Sequence, residues 1–179
     1  MPGFASLLVA SAAVRAASLN MCSDEYLLLL ARPHEIASVS RLSRAPADSS
    51  LWRLGRRFPG NRGDLESALK TRPNLLIMMG SGGRATMMVA RKMGLRTLDL
   101  PFPMTIGDVA ANMDRVAAAL GEPARALSWK RQLARLKDAR RSARGAIFLG
   151  AGGNSVGARS VEAEWMALAG LKQRPLRGA

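Results

Sequence analysis

Residues 17–31 read ASLNMCSDEYLLLLA, a short apolar strand pattern that runs directly into an apolar helix pattern. The run Val14–Leu19 has the length and apolar character of a strand. Ser23 is predicted to cap a helix that continues to Arg32, where a proline ends it. A second strand pattern, Ile36–Ser40, follows within a few residues. This segment therefore predicts a strand–helix–strand unit with two parallel strands.

The same alternation of strand and helix patterns continues along the chain. Further strands are predicted at Leu75–Met79, Arg96–Leu100 and Ala146–Leu149. The predicted helices begin at capping residues or after glycine or proline turns, and they span Asp64–Thr71, Arg84–Met93, Thr105–Leu120, Glu122–Arg144 and Ser160–Ala169, with a short helix within Ser49–Arg56. This order predicts an α/β fold with a mainly parallel, Rossmann-like sheet flanked by helices.

Ligands of such sheets bind beyond the carboxyl ends of the strands. Five loops are predicted at that edge: Asn20–Ser23, Ser40–Leu42, Gly80–Gly83, Pro101–Met104 and Gly150–Asn154. The candidate ligand-binding residues at or beside these loops are Asn20, Met21, Cys22, Ser40, Arg41, Ser81, Gly82, Gly83, Arg84 and Phe102. Trp52, in the irregular stretch between predicted elements, is a further candidate.

Length and charge limit the classes of protein that the sequence fits. With 179 residues, the chain is long enough for one ordinary domain and too short for two complete lobes. Its net charge of +14 suggests nucleic acid, an anionic membrane or an anionic ligand. The basic residues are dispersed with few aromatics between them, and no zinc-finger or RNP-type spacing is present. We therefore favour a solvated basic surface and expect no nucleic-acid partner, and a basic nucleic-acid-binding protein stays an alternative.

The first 13 residues, MPGFASLLVASAA, resemble the apolar region and cleavage site of a signal peptide without its basic start, and an ordinary buried strand or helix is the alternative. This predicts export to the periplasm. The single cysteine, Cys22, excludes an internal disulfide framework. No stretch of the sequence reaches the length of about 20 apolar residues that spans a bilayer.

The sequence contains few of the residue combinations that enzymes use for catalysis. His34 and Cys22 are each the only residue of their type, so neither a metal site nor a Ser–His or Cys–His pair is predicted. The loop Gly150–Gly157 is similar to a dinucleotide-binding loop, but its third glycine is displaced and the helix begins late, at Ser160. A nucleotide-binding enzyme of Rossmann type stays an alternative, and we predict no catalytic residue, no metal ligand and no cofactor.

The order of these elements resembles one family. ASLN opens into MCSDEYLLLLA, EIASVS follows, and then come NRGDLESALKTRPNLLIMMG, GLRTLDLP, TIGDVAANMDRVAAALG and a long helix before a new strand. This series is similar to the periplasmic substrate-binding proteins of ABC importers for iron–siderophores, haem and vitamin B12. The resemblance covers about Arg15 to Gly170, and Asn61–Gly80 is its most specific part.

The resemblance implies two α/β lobes joined by one long helix, with the ligand in the cleft between them. On this basis residues 14–121 form the first lobe, 122–144 the connecting helix and 145–179 the start of an incomplete second lobe. The ligand would be a ferric siderophore, haem or cobalamin, captured in the periplasm. Glu66 matches the first-lobe glutamate that docks onto the membrane permease, and its second-lobe partner would lie beyond residue 179.

Overall fold

The computed structural model describes residues 13–80, 83–137, 144–150 and 152–174. Five strands form a sheet in the order β3-β2-β1-β4-β5, and every neighbouring pair is parallel. The strands are β1 Ala16–Ser18, β2 Ile36–Ser40, β3 Gly60–Asn61, β4 Leu75–Met79 and β5 Arg96–Leu100. The predicted α/β fold with a mainly parallel sheet is confirmed.

Helices connect the strands and flank the sheet. They are α1 Met21–Leu30, α2 Trp52–Gly55, α3 Leu65–Leu69, α4 Arg84–Lys92, α5 Ile106–Ala119, α6 Arg125–Lys137 and α7 Val161–Leu168. Two short 3₁₀ helices, Pro33–Glu35 and Leu42–Arg44, flank β2. No helix of the described part is both long and apolar enough to cross a membrane.

The two faces of the sheet carry separate hydrophobic clusters, because side chains alternate along each strand. Ala16 and Ile77 pack with residues of α1, α5 and α6 on one face. Ala17 and Leu76 pack with residues of α3 and α4 on the other. The sheet is therefore covered on both faces, as parallel sheets require.

Capping residues set most of the helix starts that the sequence predicts. The side chains of Asp64, Thr105 and Ser160 accept hydrogen bonds from the first turns of α3, α5 and α7, as predicted. The prediction that Ser23 caps α1 was wrong. Asn20 is the cap, and its Oδ1 accepts from the backbone N–H of Ser23 at 3.1 Å. Helix α1 therefore begins two residues earlier than Ser23 and lies closer to the end of β1.

The connecting helix begins later than predicted. It begins at Arg125, because the backbone makes tight turns through Glu122–Ala124 before helical hydrogen bonding starts. It is described to Lys137, and Arg144 already belongs to the next strand, β6. The prediction of a helix over residues 122–144 was therefore wrong at its start and at Arg144, and its part over residues 138–143 lies outside the described residues.

The last part of the described chain is a small parallel pair of strands, β6 Arg144–Ala146 and β7 Leu171–Gln173. The strand predicted at Ala146–Leu149 lies earlier in the chain, and the sequence did not predict β7. The described pairing ends at Ala146, and the backbone N–H of Phe148 donates to the side-chain oxygen of Gln173 at 2.9 Å. That residues 145–179 begin a second lobe stays a prediction. The predicted signal segment, apart from Ala13, lies outside the described residues.

Candidate ligand-binding site

A cavity of about 430 Å³ lies at the carboxyl edge of the five-stranded sheet. Cys22, in the first turn of α1, and Met79, the last residue of β4, line it. Phe102 and Pro103, which follow β5, line it as well. The volume is typical of small-molecule sites, and the position beyond the strand ends is where parallel α/β sheets bind ligands.

The strand order explains why the crevice opens there. From β1 the chain continues to β2 on one side, and from β4 it continues to β5 on the other, so the helices diverge between β1 and β4. Asn20 closes the base of this crevice, since its Nδ2 donates to the carbonyl of Met79 at 2.8 Å. Asn20 therefore joins the two strand ends, and this contact places the start of α1 beside the cavity.

The far walls of the cavity come from helices that follow the sheet in sequence. Helix α6 contributes Trp129 and Leu133, which lie one turn apart on the same helix face. Helix α7 contributes Val161 and Trp165 in the same way. The lining is mostly apolar and aromatic, which is typical of sites for large hydrophobic ligands.

Two sets of polar contacts hold these walls in place. The indole N–H of Trp129 donates to the carbonyl of Leu29 in α1 at 3.2 Å. The carboxylate of Glu164, beside Trp165, accepts from the backbone N–H of Ile106 at 2.6 Å. The first contact positions Trp129 directly, and the second holds α7, which carries Trp165, against the start of α5.

A buried ion pair anchors the start of α6. The guanidinium of Arg125 binds the carboxylate of Glu35 through both of its terminal nitrogens, at 2.5 and 3.0 Å. It also donates to Glu122 at 2.9 Å and to the carbonyl of Leu30 at 3.3 Å. Side-chain exposure at the pair is 13% for Arg125 and 8% for Glu35. This pair fastens the connecting helix to the end of α1.

A second buried group, Asp24, fastens α1 to the end of β2. Its carboxylate accepts from the backbone N–H of Ser40 at 3.0 Å and from the hydroxyls of Ser40 and Ser43. Burial raises the pKa of Asp24, and the hydrogen bonds from the two serines offset only part of that rise. The contacts fix the rotation of α1, and so the direction in which it presents its cavity-lining side chains.

The ionisable groups on the cavity wall are few. Burial raises the pKa of Glu25, with a further contribution from Asp24, while a hydrogen bond from Ser49 opposes the rise. Burial raises the pKa of Tyr26 as well, although a hydrogen bond with Asn112 acts in the other direction. Within the described ranges, no group of three or more His, Cys, Asp or Glu side chains lies close enough to hold a metal ion.

The thiol of Cys22 lies in the first turn of α1. A helix N-terminus can lower a thiol pKa, but burial and the neighbouring carboxylates of Glu25 and Asp24 raise the pKa of Cys22. We expect the rate of Cys22 alkylation by iodoacetamide at pH 8 to be lower than that of the unfolded chain, because the thiolate is the reactive form. Mass spectrometry of the folded chain and of the chain in urea measures both rates, and a faster rate in the folded chain would contradict the raised pKa.

A smaller cavity of about 370 Å³ adjoins the first and shares Phe102 with it. Gly80, Arg84 and Asp99 line this second cavity. Arg84 is the first residue of α4, whose N-cap, Gly83, provides no side-chain hydrogen bond. The predicted candidates Ser81 and Gly82 lie outside the described residues.

The other predicted residues occupy different surroundings. Ser40 is buried and engaged with Asp24, so its hydroxyl is not presented to a ligand. The backbone N–H of Arg41 donates to the carbonyl of Asn61 at 2.9 Å, and Met21 is half-buried at the start of α1. Trp52 lies outside the cavity wall and stacks with Arg53 and Arg56, whose guanidinium carbons are 4.6 and 4.7 Å from its ring centre.

Of the ligand-binding residues predicted from the sequence, Cys22 and Phe102 line the main cavity. Most of the other lining residues were not predicted. The missed residues include Glu25, Met79, Trp129 and Trp165. The available signal was the pairing of Trp129 with Leu133 and of Val161 with Trp165 at a spacing of four residues. That spacing predicts a shared helix face, and it does not reveal whether the face meets the core or a cavity.

Comparison with known proteins identifies solved structures that share the fold of this chain. No protein-family model matches the chain, and no curated protein matches it. Solved structures do match. The periplasmic heme-binding protein HutB of Vibrio cholerae has a TM-score of 0.69 at 18% identity over 89% of this chain and 65% of its own. The periplasmic heme-binding protein RhuT from Roseiflexus sp. RS-1 gives 0.66 at 20% identity, over 90% and 65%.

The Ceue protein of Helicobacter pylori with Ni(II) bound is similar too, with a TM-score of 0.64 at 15% identity over 94% of this chain and 60% of its own. The chain thus spans less than two thirds of the length of these three structures. Two of the three are named as periplasmic heme-binding proteins. The resemblance seen in the sequence is confirmed at the level of the fold: the chain has the fold of periplasmic substrate-binding proteins.

Proposed function

We propose that this chain is the ligand-binding component of an ABC import system, and that it captures an iron chelate, haem or cobalamin in the periplasm for delivery to a membrane permease. The observation that carries the proposal is the apolar cavity at the strand ends, walled by Trp129 and Trp165. A binding protein needs a shaped, largely apolar cavity with few polar groups and no acid–base pair. The names of the similar solved structures support the same class of ligand.

Docking to the permease is assigned to Glu66 in this proposal. Its side chain is 79% exposed on α3 and lies 3.9 Å from Arg62 in an exposed ion pair. Such pairs contribute little to stability and exchange readily with other partners. The carboxylate is therefore available to an arginine of a membrane protein.

The alternative of a nucleotide-binding enzyme gains no support from the loop at Gly150–Gly157. The loop contains an isolated antiparallel bridge between Leu149 and Ser155, and α7 begins only at Val161. A dinucleotide loop instead opens directly into its helix, so that the first backbone N–H groups meet the phosphates. A binding role fits the described geometry better.

Tryptophan quenching tests the proposed function, because two of the three tryptophans line the cavity. We expect haem, ferric siderophores or cobalamin to quench the fluorescence in a saturable titration. The variant W165A should weaken binding roughly tenfold, which is the usual cost of removing an aromatic anchor. Trp165 is 42% exposed, so its loss should leave the fold intact.

The matched control is W52F, since Trp52 lies outside the cavity. This variant should retain both the affinity and most of the ligand-induced quenching. A result in which W52F abolishes binding and W165A does not would place the ligand elsewhere. If haem, ferric siderophores and cobalamin all fail to bind, the proposed function is contradicted.

A further inference from the structure

The charge on the wall of the main cavity is opposite in sign to the charge of the whole chain. The chain carries 27 Lys and Arg against 13 Asp and Glu. None of the described side chains that line the cavity is Lys, Arg or His, and Glu25 is the only acid among them. A ligand in this cavity therefore meets one carboxyl group in surroundings that are otherwise apolar.

Glu25 is also the acid that lacks a cationic partner at this site. Five other acids pair with an Arg or Lys side chain within 4 Å: Glu35, Asp64, Glu66, Asp114 and Glu122. None of the described ion pairs involves Glu25, whose carboxylate accepts a long hydrogen bond of 3.4 Å from the hydroxyl of Ser49. No described cationic side chain therefore offsets the charge of this carboxylate.

The remaining ionisable groups of the wall are neutral at pH 7. The pKa of Cys22 is raised, mainly by burial, and so is the pKa of Tyr26. Tyr26 also shares a hydrogen bond with Asn112, which in turn donates to the carbonyl of Pro101 at 2.9 Å. These contacts leave Glu25 as the one group through which the wall discriminates between ligands of different charge.

We propose that the cavity selects apolar ligands that carry a positive charge or none, and that Glu25 sets this preference. A half-buried carboxylate without a cationic partner gains free energy when a cation is placed beside it, and an anion at the same position is repelled. The inference rests on the proposed function, because it takes this cavity as the ligand site. Among the proposed ligands it favours a cationic ferric hydroxamate over an anionic ferric tris-catecholate, and it also disfavours haem, whose two propionates are anionic.

Tetraphenylphosphonium and tetraphenylborate test the inference directly, because they are hydrophobic ions of similar size and opposite charge. Occupancy of the cavity is read from Cys22, the only cysteine, which lines it. The ion concentration that halves the rate of Cys22 alkylation measures binding at this site and not on the basic surface. We expect the cation to protect roughly tenfold more strongly than the borate.

The variant E25Q keeps the shape of the side chain and should abolish the difference between the two ions, whereas E25K should reverse it. Asp48→Asn removes the same charge at an exposed position outside the cavity and should leave the difference unchanged. Equal or stronger protection by the borate in the parent chain, or an unaltered preference in E25Q, would overturn the inference.

The same measurements separate this inference from the proposed function. If the two ions behave as expected but no iron chelate, haem or cobalamin protects Cys22, the charge preference stands and the proposed function fails. If those ligands protect Cys22 and the anionic chelates protect it best, the proposed function stands and the role of Glu25 fails.

Discussion

Replacing Arg125 by methionine is expected to lower the free energy of unfolding by about 3–5 kcal/mol, the usual cost of removing one partner from a buried ion pair. The variant leaves the carboxylate of Glu35, whose side chain is 8% exposed, without its bidentate partner. Urea unfolding followed by circular dichroism measures the change. Arg131→Met, at an exposed position of the same helix, is the control and should stay within about 0.5 kcal/mol of the parent.

The pH dependence of this effect has a definite sign. Burial would raise the pKa of Glu35, but hydrogen bonds from Arg125 and from the backbone of Arg32 outweigh burial and lower it. A carboxyl group with a depressed pKa in the folded state stabilises the fold above its unfolded pKa, and this contribution disappears as the pH falls through the folded value. The difference in stability between the parent and R125M should therefore shrink in acid, below about pH 4.3.

A double variant distinguishes the ion pair from simple loss of packing. Glu35→Leu combined with R125M removes both charges, so no unpaired carboxylate stays buried. We expect this double variant to be more stable than R125M alone, since well-packed apolar groups replace buried ion pairs at little net cost. If the double variant is less stable than R125M, the unpaired carboxylate is not the cause of the loss.

The second large effect is expected at Asp24. Truncation to alanine leaves one backbone N–H and two serine hydroxyls without their common acceptor, in a position with 0% exposure. Unsatisfied buried donors are costly, and we expect D24A to lose about 3 kcal/mol of unfolding free energy. Because these contacts orient α1, the same variant should also weaken ligand binding at Glu25 and Tyr26.

Asp24→Asn is the matched variant for this prediction. It retains the shape of the side chain and one acceptor oxygen, and its cost should be about 1 kcal/mol or less.

Burial raises the pKa of Asp24, so the folded state holds the proton more tightly than the unfolded chain does. Parent stability should accordingly fall as the pH rises through the folded pKa, and D24N should lack this slope. An identical slope in parent and D24N would assign the pH dependence to another group.

Both predictions concern contacts that the sequence did not suggest. Glu35 and Arg125 are 90 residues apart, and Asp24 and Ser43 are 19 apart. Asp24 lies in the first turn of α1, where an acid favours the helix dipole. The fold also gives it a buried role, because β2 and the 3₁₀ turn after it bring two serines and a backbone N–H against α1.

Local chemistry explains why so much of the fold was predictable. The strands Ile36–Ser40, Leu75–Met79 and Arg96–Leu100 lie where the apolar runs predict them. The caps of α3, α5 and α7 were predictable because a capping side chain binds backbone within three residues of itself. Strands β3 and β7, of two and three residues, were not predicted. Strands this short show no alternating pattern of apolar residues in the sequence, and they form only through pairing with a neighbouring strand.

The sequence by itself determined the α/β class, the order of most strands and helices, and the edge of the sheet at which a ligand would bind, because each follows from patterns a few residues long. Only the tertiary structure decided which side chains form the cavity. Its walls join Cys22 and Glu25 to Trp129 and Trp165, which lie more than 100 residues further along the chain. Whether an apolar helix face meets the core or an open cavity depends on how helices pack, and the period of the sequence is the same in both cases.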